Sequence, residues 1–286
     1  ITSSDKKKIE NIKLSTIKNL IDSFNVSDEK FVDNKYYANF NVNFNKKNTL
    51  KFFEEKNIFP SIPKELDILL IPILIDIDQD KLKIFSENPI YNQWNIIDER
   101  YNLLNYLLPS EDIEDNDILN QNINDLESYD FNEIIKKYDL NNFIISIFYK
   151  EKNRIKVLSK IKLHNDYKII NSSYEKINLD DEKSLNAFIE DLKIVYEDNW
   201  KMINKINTSI KLPITVFLSS KDSEKIQLFE KILNNLDLVS DFYILNFDNK
   251  NIFYKVIYNG SPNKFLSEVK ENNLKIIKNE NNWQIE

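Results

Sequence analysis

Three aspartates, Asp76, Asp78 and Asp80, stand at alternate positions in the run IDIDQD, at the end of the apolar stretch that begins at Leu66. Carboxylates at the carboxyl end of a buried strand lie where open α/β sheets collect ligands. A pair of them can divide the roles of nucleophile and acid/base. The same arrangement also ends many strands at an ordinary polar turn. A second acidic group, Glu111, Asp112, Glu114, Asp115 and Asp117, could offer oxygen ligands to Ca²⁺. It lacks the glycine that calcium loops use for their sharp turn, and its spacing favours a solvated turn whose carboxylates complement a helix N-terminus. The one histidine, His164, falls in LHND between two predicted strands. There is no G-x-S-x-G elbow for it to serve, so it reads as an exposed hairpin residue.

Much other chemistry is excluded by residue type. The chain has one glycine, one histidine, one methionine and no cysteine. Phosphate-cradling loops, thiol nucleophiles and thiolate or clustered-imidazole metal sites therefore cannot be built, and no cofactor or metal is expected. Gly260 lies in YNGSPNKF. There glycine suits a left-handed turn, Ser261 can cap the next helix and Pro262 can fill its first turn. An anion site at that helix N-terminus is the functional alternative, but turn geometry accounts for all three residues. Trp94, Trp200 and Trp283 follow apolar faces and are assigned to the core. Tyr254 and Tyr258 alternate on one strand as base-stacking tyrosines do, but the glycine-and-basic signature of an RNA-recognition sheet is missing.

Net charge is −7, with acids and lysines interleaved and only two arginines, Arg100 and Arg154. This is not the gathered basic face of a nucleic-acid binder. The longest apolar run, Ile68 to Ile75, is eight residues broken by Pro72, far short of the ~20 that a membrane-crossing helix needs. Opening at Ile1 rather than Met is what removal of a signal peptide leaves, and equally what any trimmed boundary leaves.

The elements that must position these residues follow from periodicity. Ile9, Ile12, Ile17, Leu20, Ile21 and Phe24 recur at helical spacing. Ala38, Phe40, Val42 and Phe44 alternate with asparagines and predict a strand with one buried and one wet face. Asn48 is expected to cap a short helix carrying Leu50 and Phe53. Leu66 to Ile77 reads as a strand apolar on both faces. Asn88-Pro89 opens a predicted helix whose stripe runs Ile90, Trp94, Ile97, Tyr101, Leu104, Leu108. A helix through Ile134, Ile135 and Tyr138 precedes three strands near 142–150, 154–163 and 167–173, and a long helix follows Asp181. After Ile210 the order β-α-β-β-α-β matches the ferredoxin-like split unit.

Two resemblances add direction. The aspartate run looks like the first motif of haloacid-dehalogenase-type phosphotransferases, with Ser219-Ser220 after a later strand passing for the second. The glycine flap and the ordered lysine-plus-acidic set of that family are missing. A broader resemblance spans most of the chain. YYANFNVNFN, LDILLIPILID, ENPIYNQWN, LPSEDIEDND, FNEIIKKYDLNNFIISIFY and FYKVIYNGSPNKFLSEVKENNLKI resemble, in that order, a family of exported proteobacterial proteins known as a domain of unknown function. Pro109, Asp112 and Asp115 match that family's proline-and-aspartate turn, with Glu111 where it has glycine. The middle block is similar to the α/β domains of TolB amino-terminal and curli-secretion type, which dock to partners.

The expectation is therefore an α/β (α+β) protein of mixed sheets with helices on one face, divided as 1–60, 61–206 and 207–286 and ending in a ferredoxin-like βαββαβ unit. The resemblance implies a non-catalytic periplasmic or cell-envelope accessory protein that binds other envelope proteins, with a cytoplasmic setting as the alternative. The competing function is a Mg²⁺-dependent phosphotransferase using Asp76 and Asp78.

Overall fold

A computed structural model of the chain describes residues 1–96, 102–278 and 283–286. In chain order its elements are α1 (Ser3–Lys7), α2 (Leu14–Lys18), β1 (Ile21–Val32), β2 (Lys35–Phe44), α3 (Lys46–Glu55), β3 (Leu66–Asp76), β4 (Lys81–Lys83), α4 (Pro89–Gln93), β5 (Leu104–Leu107), α5 (Ile113–Gln121), α6 (Asn132–Lys136), β6 (Phe143–Glu151), β7 (Arg154–Leu163), β8 (Asp166–Glu175), α7 (Glu182–Ile203), β9 (Leu212–Ser219), α8 (Ser223–Asn235), β10 (Val239–Phe247), β11 (Asn251–Tyr258), α9 (Pro262–Glu271), β12 (Ile276–Lys278) and β13 (Trp283–Ile285). Helices and mixed sheets together make an α/β protein.

The chain forms two compact units, one of residues 1–62 with 201–286 and the other of residues 63–200. The first 60 residues therefore do not form a unit of their own, as the sequence division had it. They join the C-terminal block because Lys46 Nζ of α3 donates to Leu236 O at 2.6 Å and Lys47 pairs with Asp241 of β10 at 2.7 Å.

The unit of residues 63–200 is built on a six-stranded sheet, β4-β3-β6-β7-β8, with β5 also on β3. β3 runs parallel to β6 and β5, while the other pairs are antiparallel. Both faces of β3 are buried. Ile68, Leu70 and Leu74 join α7 residues such as Phe188, Leu192 and Trp200 in one core. Leu69, Ile71 and Ile73 join Leu119 of α5 and Ile134 of α6 in another. The expected placing of helices on one face does not hold for this sheet. A strand apolar on both faces from Ile68 to Ile75 needs cover on both sides.

In the other unit the sheet order is β10-β11-β9-β13-β12. Val216, Tyr254, Val256 and Tyr258 meet Phe229 of α8 and Phe265 of α9 in a single core, so here the helices do share a face. The order β-α-β-β-α-β-β has one strand more than the expected ferredoxin-like unit, and β13 runs parallel to β9.

Two predicted helices run on into what are strands. Residues 21–32 form β1, paired with β2 through a turn in which Asp33 and Asn34 have φ of 50° and 59°. That is the backbone of a tight hairpin turn, usually given to Asn-Gly. The stripe from Ile90 stops with α4 at Gln93; Leu104 lies on β5, held by parallel pairing to β3. Ile97 and Tyr101 of that stripe lie outside the described residues. Asn88 caps α4 as expected, accepting from Ile90 N at 3.0 Å, whereas α3 is capped by Asn45 instead of Asn48.

Glycine scarcity is met by other residues at positive φ. Most of these are Asp or Asn, such as Asn57, Asp80, Asp139 and Asn273, the side chains that tolerate this region best. Gly260 is not among the positive-φ residues, so the left-handed turn expected for it is absent. Its value is space. A Cβ there would lie 2.7 Å from Cε1 of the fully buried Tyr258 and 3.3 Å from Leu238 Cδ1. Ser261 and Pro262 do open α9 as expected.

Candidate functional site

Asp76 ends β3 with only 1% of its surface exposed. The parallel register places Lys150 of β6 across from it, and β4 brings in Lys83. Lys83 Nζ lies 3.1 Å and Lys150 Nζ 3.3 Å from Asp76 Oδ2. Burial pushes the Asp76 carboxyl up, but hydrogen bonds and charge from Lys83 and Lys150 outweigh it and hold the group below its ordinary value. Asp78 accepts from Lys152 N at 2.6 Å and lies 3.6 Å from Lys150 Nζ. Asp80 has φ of 50° in the turn that returns the chain to β4.

The structure therefore brings Asp76 and Asp78 together with two lysines. Ser219 and Ser220 belong to the other unit, at the end of β9, where Ser219 Oγ accepts from Lys221 N at 3.4 Å. The donor set at Asp76 does not suit Mg²⁺. Its carboxylate already has ammonium groups on it, and a magnesium ion would need that carboxylate at ~2.1 Å with near-octahedral ligation. Among the described residues, no group of three or more His, Asp or Glu is placed to hold a metal ion. Chemically the cluster is a neutralised strand end.

The acidic turn is a cap. Asp112 accepts from Glu114 N at 2.8 Å and Asp115 N at 3.3 Å at the start of α5. Lys137 bridges Asp112 and Asp115 at 2.7 and 2.8 Å, and these hydrogen bonds raise its pKa well above the ordinary lysine value. Glu111 accepts from Ser86 N at 3.0 Å, and Asp117 is exposed. His164 is exposed in the β7–β8 turn with φ of 54°, its ring edge-on to Trp200 at 5.2 Å. Trp94 and Trp200 are fully buried and Trp283 nearly so. Tyr254 and Tyr258 face inward, donating to Glu230 and Glu268 at 2.6 and 2.7 Å, so neither offers a ring to a base.

Two features had no sequence signal, and a third was legible only in part. Tyr196 Oη sits 2.7 Å from Ser146 Oγ and 2.8 Å from Ser159 Oγ, all buried, and its burial raises its pKa to about 12. Glu197 is 3% exposed and accepts from the backbone N–H groups of Leu103 and Leu104 at 2.9 and 2.8 Å.

The third is the hairpin. Its register gathers Ile21, Phe24, Val26, Phe31, Tyr36, Ala38, Phe40, Val42 and Phe44 on one face, while Ser23, Asn25, Ser27, Lys30, Val32, Lys35, Tyr37, Asn39, Asn41 and Asn43 take the other. The alternation expected for β2 is present, but its apolar face is not buried. Phe24 is 64% exposed, Phe31 72%, Tyr36 58%, Phe40 61% and Phe44 53%.

No helix among the described residues is long and apolar enough to cross a membrane. Searches against protein-family models, curated proteins and solved structures find no match for the chain.

Proposed function

We propose that the chain is a non-catalytic accessory protein that binds another protein through the apolar face of the β1–β2 hairpin. One observation carries this reading. Five aromatic rings, each more than half exposed, lie on one face of a two-stranded ribbon, where Glu29, hydrogen-bonded to Tyr36, is the charged neighbour. At 150–250 Å² per ring they present roughly 600 Å² of apolar surface, the upper end of what monomers expose. Covering it on both partners would bury about 1,200 Å², enough for a specific interface. A lone two-stranded hairpin is also marginal in water, and packing a second apolar face against it supplies what it lacks. The occupant is a partner protein offering an apolar sheet or helix face. The cell-envelope setting rests on the resemblance of the stretches quoted from the sequence.

A photo-crosslinking residue in place of Phe40 tests this in cells that make the full-length protein. The reading expects one discrete adduct to another envelope protein, lost when Phe24→Ser and Phe31→Ser are added, with the fold intact by circular dichroism. Adducts only within the chain, or only between two copies of it, overturn the reading. Recovery of the protein and its adduct from the cytoplasmic fraction overturns the envelope setting.

A further inference from the structure

In the unit of residues 1–62 and 201–286, one face of α3 stands over a cleft. Lys47, Leu50, Lys51, Glu54 and Glu55 recur at spacings of three and four, so they line one wall together. The opposite wall is Ser240 and Asp241 of β10 with Ile257 of β11, and Thr208, Lys211 and Asn259 close the site. The cleft measures about 550 Å³, within the ~300–1,000 Å³ usual for small-molecule sites.

Two ion pairs pin the walls, Lys47 to Asp241 at 2.7 Å and Lys211 to Glu54 at 2.8 Å. That leaves Lys51 and Glu55, one helical turn apart and exposed, without an ion-pair partner among the described residues. Asn259 and Thr208 are buried, 5% and 2% exposed. The Asn259 amide is oriented by two carbonyls, its Nδ2 donating to Ile210 O at 2.8 Å and Thr208 O at 3.3 Å. Its Oδ1 therefore has to accept, yet neither Asn259 Oδ1 nor Thr208 Oγ1 has a hydrogen-bond partner among the described residues. Folded proteins seldom leave two such atoms unmet in one place.

We infer that this cleft binds a small zwitterion, a free amino acid or a short peptide carrying both its termini. An ammonium brings the donors that Asn259 Oδ1 lacks, and Glu55 offers it charge. A carboxylate meets Lys51, and the Thr208 hydroxyl can serve either end. Leu50 and Ile257 give a short side chain an apolar place.

Calorimetric titration of the intact chain with alanine, with alanyl-alanine and with uncharged N-acetyl-alanine amide tests the assignment. Saturable binding of alanine or of alanyl-alanine is expected, the two arms separating a free amino acid from a peptide. Lys51→Gln and Thr208→Val should each weaken it by about tenfold or more. Both variants should keep the fold, since Lys51 is exposed and valine matches threonine in shape, and circular dichroism checks this. Equal affinity for the uncharged amide, undiminished affinity in Lys51→Gln, or no saturable heat from either zwitterion at about 10 mM overturns the proposal.

Discussion

Lys150 is the register partner of Asp76 across the parallel β3–β6 pair, and its ammonium nitrogen lies 3.3 Å from the Asp76 carboxylate. Position on the sheet and choice of partner are thus fixed by one pairing. Replacing Asp76 by Asn leaves Lys83 and Lys150 facing each other without their shared anion. A loss of about 2–3 kcal/mol in urea unfolding is expected, less than for a fully buried pair because both lysines keep some solvent. The sign with pH follows from the lowered carboxyl. The contribution is fully present above the unfolded-state pKa of about 4 and disappears as pH falls through the lower folded value. Unfolding curves from neutral to strongly acidic pH should show that acid-side loss in the native protein and a shallower one in Asp76→Asn.

Tyr196 gives the opposite window. Its folded pKa is raised to about 12, so its contribution is whole below the unfolded value of about 10 and drains away as pH climbs between the two. Tyr196→Phe should cost about 1–2 kcal/mol at neutral pH, because Ser146 and Ser159 lose their common partner. It should also flatten the alkaline limb of stability. An unchanged limb, followed by tryptophan fluorescence, would count against this account.

At Gly260 the obstacle is a ring. Gly260→Ala puts a methyl 2.7 Å from Tyr258 Cε1, and overpacking of this kind costs about 1–3 kcal/mol. Tyr258→Phe should not relieve it, since the crowded carbon remains. Tyr258→Leu should make the alanine substitution less costly than it is in the native background. A thermodynamic cycle on the four proteins reads this directly.

Asn88 is wholly buried and does two jobs, accepting from Ile90 N at 3.0 Å and donating to Pro72 O at 3.1 Å. Pro72 has no N–H of its own in the middle of β3. Asn88→Ala removes the α4 cap and strips a buried carbonyl of its donor. The expected loss is about 2–3 kcal/mol. Asn88→Asp should keep the cap yet lose the donation, falling between the two in thermal denaturation.

Where one element's own pattern decided its form, the sequence was enough. β3 is apolar on both faces from Ile68 to Ile75, α7 holds its stripe from Leu185 to Tyr196, and the burial of β9 alternates. The failures share one cause. Ile17, Leu20, Ile21 and Phe24 fit a helix by spacing, but Ile21 and Phe24 are committed to strand partners Phe44 and Val42. Leu104 fits a helix until β3 pairs with it. The Asp33-Asn34 turn was the overlooked clue, hidden because hairpin signals are sought in glycine. At the candidate sites, Asp76 was visible from its place after an apolar run. Lys150, 74 residues away, could be joined to it only through a register. Thr208 and Asn259 carry no pattern at all; what marks them is that Thr208 Oγ1 and Asn259 Oδ1 find no hydrogen-bond partner among the described residues once folded.

The unit of residues 63–200 interrupts the other one, and the two crossings are stitched side by side. Ser61 bridges Lys205, Ile62 N donates to Asn204 O at 2.9 Å, and Ile206 N donates to Pro60 O at 2.7 Å. On the ribosome this imposes a timetable. The inserted unit has its whole sheet and most of α7 before β9 is made, so it can fold while α3 waits for β10, which does not yet exist. The aromatic ribbon, whose two strands pair only with each other, leaves the ribosome before the strands that α3 docks on, so the delay is a demand for early shielding.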